Sequence, residues 1–166
     1  MYGMEDCKVK IILADDNVDL RNTIREYISK KNDFEIVGET EDGEKQLELI
    51  LNLKPDIVIT DLKREKGMSG LDVIRKCNEL EIKNVDFLVL TGCFYEDSFS
   101  ELMQLGVSNI LRKPYDFDML LNELEKIKEE RTGKLVEVKR EFSIDSNNRR
   151  MFMRIINSIK EFIQKH

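Results

Sequence analysis

The sequence predicts an α/β domain in which a parallel sheet is covered by helices on both faces. Two observations support this fold class: five short apolar runs alternate with five longer amphipathic stretches, and polar residues seldom interrupt the apolar runs. Alternating strands and helices are typical of βαβ units with right-handed crossovers. Nearly continuous apolar strands are typical of a sheet that is buried on both faces.

The first two strand–helix pairs occupy the start of the chain. Val9–Ala14 (VKIILA) and Phe34–Gly38 (FEIVG) are predicted strands because they are rich in β-branched and apolar residues. Leu20–Ile28 and Lys45–Leu53 are predicted helices because their apolar residues recur every three or four positions.

The third and fourth pairs follow the same pattern. Ile57–Thr60 (IVIT) and Phe87–Leu90 (FLVL) are predicted strands. Leu71–Leu80 and Phe99–Leu105 have helical periodicity, and Gly106 is a common helix stop.

The fifth pair and the tail complete the pattern. Asn109–Leu111 is a short strand, and Phe117–Ile127 is a helix with its leucines on one side. In the tail, Leu135–Val138 is interpreted as a short strand and Ser146–Lys165 as an amphipathic helix. The amphipathic helix is expected to pack on the globule, to dimerise or to bind a partner, since so broad an apolar stripe is not stable alone in water.

Length and charge predict one domain with an appendage, at residues 8–130 and 131–166. The chain has 166 residues, of which 41% are apolar and 36% charged, as in a soluble globular protein. Residues 131–166 hold nine Lys or Arg and four Asp or Glu, so this tail carries +5 and the first 130 residues carry −11. An acidic globule is not expected to bind nucleic acid, and we do not expect the chain to bind DNA directly.

Cysteine spacing and hydropathy predict a cytoplasmic protein. Cys7, Cys77 and Cys93 are far apart and odd in number, which favours reduced thiols over a disulfide framework or a zinc site. No apolar run approaches the ~20 residues that span a bilayer, and Met1–Lys10 lacks a secretory pattern. No membrane association is expected.

Polar residues follow four of the five predicted strands. Asp15 and Asp16 follow the first strand, Asp61 the third, Thr91 the fourth and Lys113 the fifth. In a parallel sheet these positions share one edge, where ligands commonly bind. Three converging carboxylates would repel, so a cation must offset them, and Mg²⁺ prefers such oxygen ligands.

Each of these residues also has a simpler interpretation. Either Asp15 or Asp16 could cap the first helix, Asp61 could be a loop acid, and Lys113 could be a surface lysine. The full set favours a site in which the metal bridges a phosphoryl oxygen. Lys113 and the hydroxyl of Thr91 would hold the other oxygens.

This set, in this order, resembles the receiver family of two-component signalling between Lys8 and Ile127. The matching segments are ILADDN (Ile12–Asn17), IVITD (Ile57–Asp61), LVLTG (Leu88–Gly92) and LRKPYD (Leu111–Asp116). Among receivers, ADDN and the following helix are most similar to the receiver of the stage-zero sporulation regulator.

The resemblance implies a flavodoxin-like (βα)5 receiver with the strand order 2-1-3-4-5. It also implies that Asp61 accepts a phosphoryl group from a partner histidine kinase or phosphotransfer protein, with Mg²⁺ as cofactor. Asp15, Asp16, Asp61 and the backbone carbonyl of Lys63 would hold the metal. Such a chain assists its own phosphoryl transfer and dephosphorylation and is not otherwise an enzyme.

The resemblance further implies how the signal is passed on. Thr91, Gly92 and Lys113 would contact the phosphoryl group, and Ile110 occupies the switch position where the family often has an aromatic residue. The face formed by the fourth helix, fifth strand and fifth helix would then bind a partner or a second copy.

The segment after Asp61 departs from the family pattern. Receivers usually have Met-Pro soon after the acceptor and a glycine eight residues on, whereas here no proline follows and Gly70 lies nine residues on. Lys63, Arg64 and Lys66 make this loop strongly basic and are interpreted as a solvated segment. The departure leaves open a pseudo-receiver that binds proteins without phosphorylation.

A second alternative is the receiver part of a transcription regulator that lacks its DNA-binding domain, in which residues 131–166 would be a linker and a remnant. A phosphatase of similar fold is less favoured, since no second acid follows Asp61 at short spacing.

Overall fold

The computed structural model describes residues 8–64, 67–92 and 96–143, with side chains up to Lys134. The chain divides into two compact units, residues 1–127 and 128–166. The strands are β1 (Val9–Ala14), β2 (Phe34–Thr40), β3 (Ile57–Asp61), β4 (Asp86–Thr91) and β5 (Asn109–Arg112). The helices are α1 (Val18–Ser29), α2 (Gly43–Leu53), α3 (Gly70–Glu79), α4 (Glu96–Gln104) and α5 (Phe117–Ser143).

The five strands form one parallel sheet in the order β2-β1-β3-β4-β5, which confirms the predicted fold class. β1 and β3 are neighbours inside this order, and the last four residues of β1 and the first four of β3 are buried. Burial on both faces explains why these strands have no alternation of polar and apolar residues.

Each face of the sheet has its own apolar core. Ile57 and Ile59 of β3 pack with residues of α1 and α5, whereas Val58 packs with residues of α2, α3 and α4. Successive strand residues point to opposite faces, so one apolar run supplies both cores. The two layers of helices leave the carboxyl ends of the central strands as the place where polar side chains can converge.

Helix caps near this edge are made by residues other than the strand-end acids. The side chain of Asn17 accepts a hydrogen bond from Leu20 N at 3.0 Å and caps α1, and Asp42 caps α2 by accepting from Lys45 N at 2.7 Å. Ser69 and Asp72 form a capping box at the start of α3. Asp15 and Asp16 are therefore not required as caps.

The strand predicted at Leu135–Val138 is wrong. These residues belong to α5, which continues to Ser143. The segment has only Gly133 as a turn-favouring residue before it. Leu135 and Glu137 favour helix, as do Lys134, Lys139 and Arg140 on either side. The helix predicted at Ser146–Lys165 lies outside the described residues, and the domain boundary at residue 130 stays a prediction.

Gly70 lets α3 begin directly against the end of β3. A Cβ atom added at Gly70 would lie 2.0 Å from the carbonyl oxygen of Asp61 and 2.9 Å from Thr60 Oγ1. The backbone at this position therefore approaches β3 more closely than any side chain permits. The glycine nine residues after Asp61 thus fixes the end of the lengthened loop.

We expect Gly70→Ala to lower the free energy of unfolding by about 2 kcal/mol, because the added methyl group must push α3 away from β3. Gly133→Ala is the matched control, since nothing lies within 4 Å of its added Cβ and alanine favours helix. Urea unfolding followed by circular dichroism measures both effects. Equal stability of the two variants would contradict the close approach.

Candidate functional site

The carboxyl edge of the sheet brings three of the predicted site residues into direct contact. Lys113, which follows β5, extends its ammonium group between the carboxylates of Asp15 and Asp61. Its Nζ lies 3.0 Å from Asp15 Oδ2 and 2.7 Å from Asp61 Oδ2. The side chains of Asp15, Asp61 and Lys113 are 1%, 14% and 26% exposed. The site is thus a largely buried cluster of two acids and one base.

Both carboxylates are also held from the loops that carry them. Asp15 Oδ1 accepts a hydrogen bond from Asn17 N at 2.9 Å, and Asp61 Oδ1 accepts one from Lys63 N at 3.1 Å. Charge-assisted hydrogen bonds of this kind fix the orientation of a carboxylate. Each acid therefore presents one oxygen to its own loop and the other to Lys113.

The electrostatics of Lys113 reflect a balance between burial and charge. Burial lowers the pKa of its ammonium group, but hydrogen bonds and charge attraction from Asp61 and Asp15 outweigh burial, so the pKa lies above its ordinary value. Lys113 is therefore fully charged at neutral pH and offsets the two acids.

Asp16 stands apart from this cluster. Its side chain is exposed, and among residues 8–64, 67–92 and 97–134 no three His, Cys, Asp or Glu side chains lie close enough to form a metal site alone. The convergent carboxylates are those of Asp15 and Asp61. Mg²⁺ commonly binds through one or two carboxylates and keeps several water molecules, so this donor set fits that ion.

Thr91, Gly92 and Ile110 surround the site without joining the ion pairs. Thr91 is buried, and its carbonyl oxygen accepts a hydrogen bond from Lys113 N at 2.8 Å. Within the described part of the chain, the nearest neighbour of a Cβ atom added at Gly92 would be Lys113 Cβ, at 4.0 Å. Ile110 is partly buried against the core on the α2, α3 and α4 side.

A small pocket of about 250 Å³ adjoins these residues. It lies between the loop after β3 and the end of β4, and its lining includes Lys63, Arg64, Ser69, Thr91 and Ser98. The peptide bond between Lys113 and Pro114 is cis.

The prediction that Arg64 belongs to a solvated loop is wrong. Its Nη2 donates a hydrogen bond to Thr60 Oγ1 at 3.1 Å and a second to Gln46 Oε1, and both partners are fully buried. Lys63 has an exposed side chain, as expected, and Lys66 lies outside the described residues. No local pattern indicates that Arg64 turns inward, because its partner Gln46 is 18 residues away.

Arg21 is a second residue that the sequence did not single out. Its Nη1 donates a hydrogen bond to the carbonyl oxygen of Asp15, and its Nη2 lies 3.8 Å from Glu41 Oε2. Arg21 lies in the first turn of α1, the helix that follows Asp15 and Asp16. It therefore steadies the backbone of the loop that carries Asp15.

The chain has a five-stranded parallel sheet of order 2-1-3-4-5 and an Asp–Lys–Asp cluster at its carboxyl edge. This combination is the one expected of a receiver domain. The chain belongs to the response regulator receiver domain family, whose model matches residues 11–125.

Individual relatives agree with this family. A nitrate/nitrite response regulator protein homolog of Haemophilus influenzae is 31% identical over 126 residues, which cover 75% of this chain and 58% of the relative. The chain thus spans less than two thirds of that relative's length.

Solved structures give the same result. The signal receiver domain of a Vibrio parahaemolyticus protein described as a Luxo repressor has a TM-score of 0.70 and 27% identity, covering 78% of this chain and 98% of that one. A DNA-binding response regulator of the LuxR family from Staphylococcus aureus has a TM-score of 0.66 and 25% identity, covering 72% and 98%.

We expect Lys113→Met to lower the free energy of unfolding at pH 7 by about 2 kcal/mol, because Asp15 and Asp61 would lose the cation between them. The pKa of Lys113 is raised on folding, so its stabilisation is present below pH 10.5 and is lost as the pH rises above that value. The stability difference between wild type and variant should therefore shrink above pH 10.5.

Urea unfolding at pH 7, 9 and 11 measures this difference. Lys76→Met is the control, since Lys76 pairs only with Glu79 on the exposed face of α3, at 2.8 Å, and should change stability by less than about 0.5 kcal/mol. A difference that stays constant up to pH 11 would argue against the role of the Lys113 charge.

Proposed function

We propose that this receiver is a phosphorylation switch in which Asp61 accepts a phosphoryl group from a histidine kinase or phosphotransfer protein. The observation that supports this proposal is the geometry of Asp61 at the end of β3. One carboxylate oxygen is held by Lys63 N, the other lies 2.7 Å from Lys113 Nζ, and the side chain retains partial exposure.

The proposed chemistry is a direct transfer. A carboxylate oxygen of Asp61 attacks phosphorus, the new O–P bond forms, and the bond from phosphorus to the donor's imidazole nitrogen breaks. The bonding electron pair leaves with the imidazole. The ammonium group of Lys113 would offset negative charge on the phosphoryl oxygens, and the lack of a side chain at Gly92 would leave room for the group beside Thr91.

The acidic side of the site would hold Mg²⁺ through Asp15, Asp61 and the backbone carbonyl of Lys63, with Asp16 nearby. When bound, the metal would neutralise charge on a phosphoryl oxygen during transfer. Asp15 is the better fixed of the two loop acids because it is buried and bound by both Asn17 N and Lys113. Asp16, which is exposed, would support the metal from outside the cluster.

The output surface would be the face of α4, β5 and α5. Phe99 and Met103 on α4 and Met119 on α5 are between 40% and 48% exposed, although large apolar side chains usually lie inside. Phosphorylation would shift the population of two conformations of this face, which a partner protein or a second copy would then bind. No helix within the described ranges is long and apolar enough to cross a membrane.

A second candidate is the receiver part of a transcription regulator. The relatives described above include a DNA-binding response regulator, and the chain matches only part of the Haemophilus influenzae relative. None of these relatives is described as a sporulation regulator, so the closer resemblance to the stage-zero regulator stays a prediction without further support.

We expect Asp61→Asn to abolish phosphorylation, because an amide oxygen is a far weaker nucleophile than a carboxylate. The protein is incubated with Mg²⁺ and acetyl phosphate, and its intact mass is measured. The control is Asp56→Asn, at the opposite end of β3, where the carboxylate accepts a hydrogen bond from Lys10 N at 2.9 Å. The wild type and the control should gain the mass of one phosphoryl group. Absence of the gain in the wild type would instead favour a pseudo-receiver.

We expect Asp16→Ala to weaken Mg²⁺ binding by roughly tenfold, because a neighbouring group that supports a metal's ligands commonly contributes a factor of this size. The fold should be unaffected, since the side chain is exposed and α1 is capped by Asn17. Isothermal titration calorimetry gives the affinity, and thermal unfolding without metal checks the fold. An unchanged Mg²⁺ affinity would remove Asp16 from the proposed site.

A further inference from the structure

The loop after Asp61 folds back over the end of β3 and carries a positive charge with it. Lys63 N donates to the Asp61 carboxylate, and the next residue, Arg64, directs its guanidinium group to Thr60, the immediate neighbour of Asp61. Thr60 Oγ1 in turn lies 3.3 Å from Gln46 Oε1 and 3.2 Å from the carbonyl oxygen of Asp61. The guanidinium group is therefore anchored one residue from the proposed phosphoryl acceptor.

This anchor is buried and only partly satisfied. Arg64 Nη2 makes both hydrogen bonds, whereas the buried Nε and Nη1 have no partner within the described part of the chain, and neither does Gln46 Nε2. A guanidinium group carries five N–H donors, and buried donors without a partner are costly. An arginine that served only to hold the loop would be expected to use more of its N–H donors. The placement of Arg64 is therefore better explained by its positive charge than by its hydrogen bonds.

The surroundings of Arg64 are acidic. Burial lowers the pKa of its guanidinium group, and attraction from Asp15, Asp42, Asp61 and Asp16 raises it, in that order of importance. The four carboxylates include every acid predicted to bind the metal. An arginine remains charged under these conditions, so the acidic edge of the sheet already contains a second cation besides Lys113.

We propose that Arg64 is a resident cation of the Asp61 site that lowers the affinity of the site for Mg²⁺. The inference rests on the proposed function, because it concerns the same metal. The positive charge of Arg64, which attracts the same carboxylates, repels a divalent ion and offsets part of their negative charge. Through its charge, Arg64 thereby raises the concentration of divalent cation at which the site is filled.

The size of the effect follows from the charges. Coulomb repulsion between a guanidinium group and a divalent ion across a partly exposed site corresponds to roughly a three- to tenfold change in the dissociation constant. Salt screens such an interaction, so the change should shrink as ionic strength rises.

The experiment compares the wild type with Arg64→Met and Arg64→Lys. Methionine keeps much of the side-chain length without charge, and lysine keeps the charge without the planar hydrogen-bonding group. Lys45→Met is the control, because Lys45 lies beside Gln46 on α2 but pairs with Glu48 on the surface, at 2.9 Å. Mg²⁺ affinity is measured by isothermal titration calorimetry at 50 and 300 mM KCl, and the melting temperature against Mg²⁺ concentration gives a second readout.

We expect Arg64→Met to bind Mg²⁺ roughly three- to tenfold more tightly than the wild type at low salt, with a smaller gain at high salt. Arg64→Lys and Lys45→Met should remain close to the wild type. Equal or weaker binding by Arg64→Met would overturn the inference, as would equal tightening in Arg64→Lys, since the guanidinium shape rather than the charge would then matter.

The same data separate this inference from the proposed function. If the wild type binds Mg²⁺ but gains no phosphoryl mass, phosphorylation fails while the effect of Arg64 is still measured. If the wild type does not bind Mg²⁺ and Arg64→Met does, the inference is supported in its strongest form. If neither binds the metal, the inference is overturned together with the metal site.

Discussion

The ammonium group of Lys113 joins two carboxylates that the parallel sheet places at one edge. Asp15 and Asp61 follow neighbouring strands of the sheet, so their side chains converge whatever their charge. At the carboxyl end of a buried sheet, little water is available to separate them. Lys113 follows β5, which is separated from β3 by β4 in the sheet. Its positive charge offsets the repulsion between the two carboxylates.

The rest of the site is arranged around this interaction. The caps of α1 and α2 are made by Asn17 and Asp42, so Asp15 can direct one oxygen to its own loop and one to Lys113. Gly70 brings α3 against the carbonyl group of Asp61 and limits where that residue can move. The site is therefore preorganised by backbone contacts, and a small change in charge at Asp61 would be felt at the ends of three strands.

The loop after Asp61 is where this chain differs most from the general family pattern. Arg64, three residues after Asp61, occupies a position beside Thr60 and Gln46. Basic residues in a loop usually remain in water because burial of a charge is expensive. Here the neighbouring acids lower the free-energy cost of burying the charge of Arg64. The basic loop and the acidic edge of the sheet therefore have complementary charge.

Local pattern in the sequence was sufficient to locate the five strands of the sheet, the helix that follows each strand and the polar residues at the strand ends. Whether a segment forms a strand or a helix shows in the spacing of its apolar residues, because the buried side chains recur with the period of the element. The run IVIT and the leucines after Phe117 are examples. Asp15, Asp61 and Lys113 could be predicted to meet because parallel strands end at a common edge.

Only the tertiary structure decided which side chains fill the space between the elements. Asn17 rather than Asp15 or Asp16 caps α1, and Arg64 turns inward because Gln46, 18 residues away, accepts its hydrogen bond. Leu135–Val138 continues α5 rather than forming a strand, since a strand exists only where another strand pairs with it. Contacts between residues that are far apart in the sequence determine such features. A short window of sequence does not show which distant residue will be the partner.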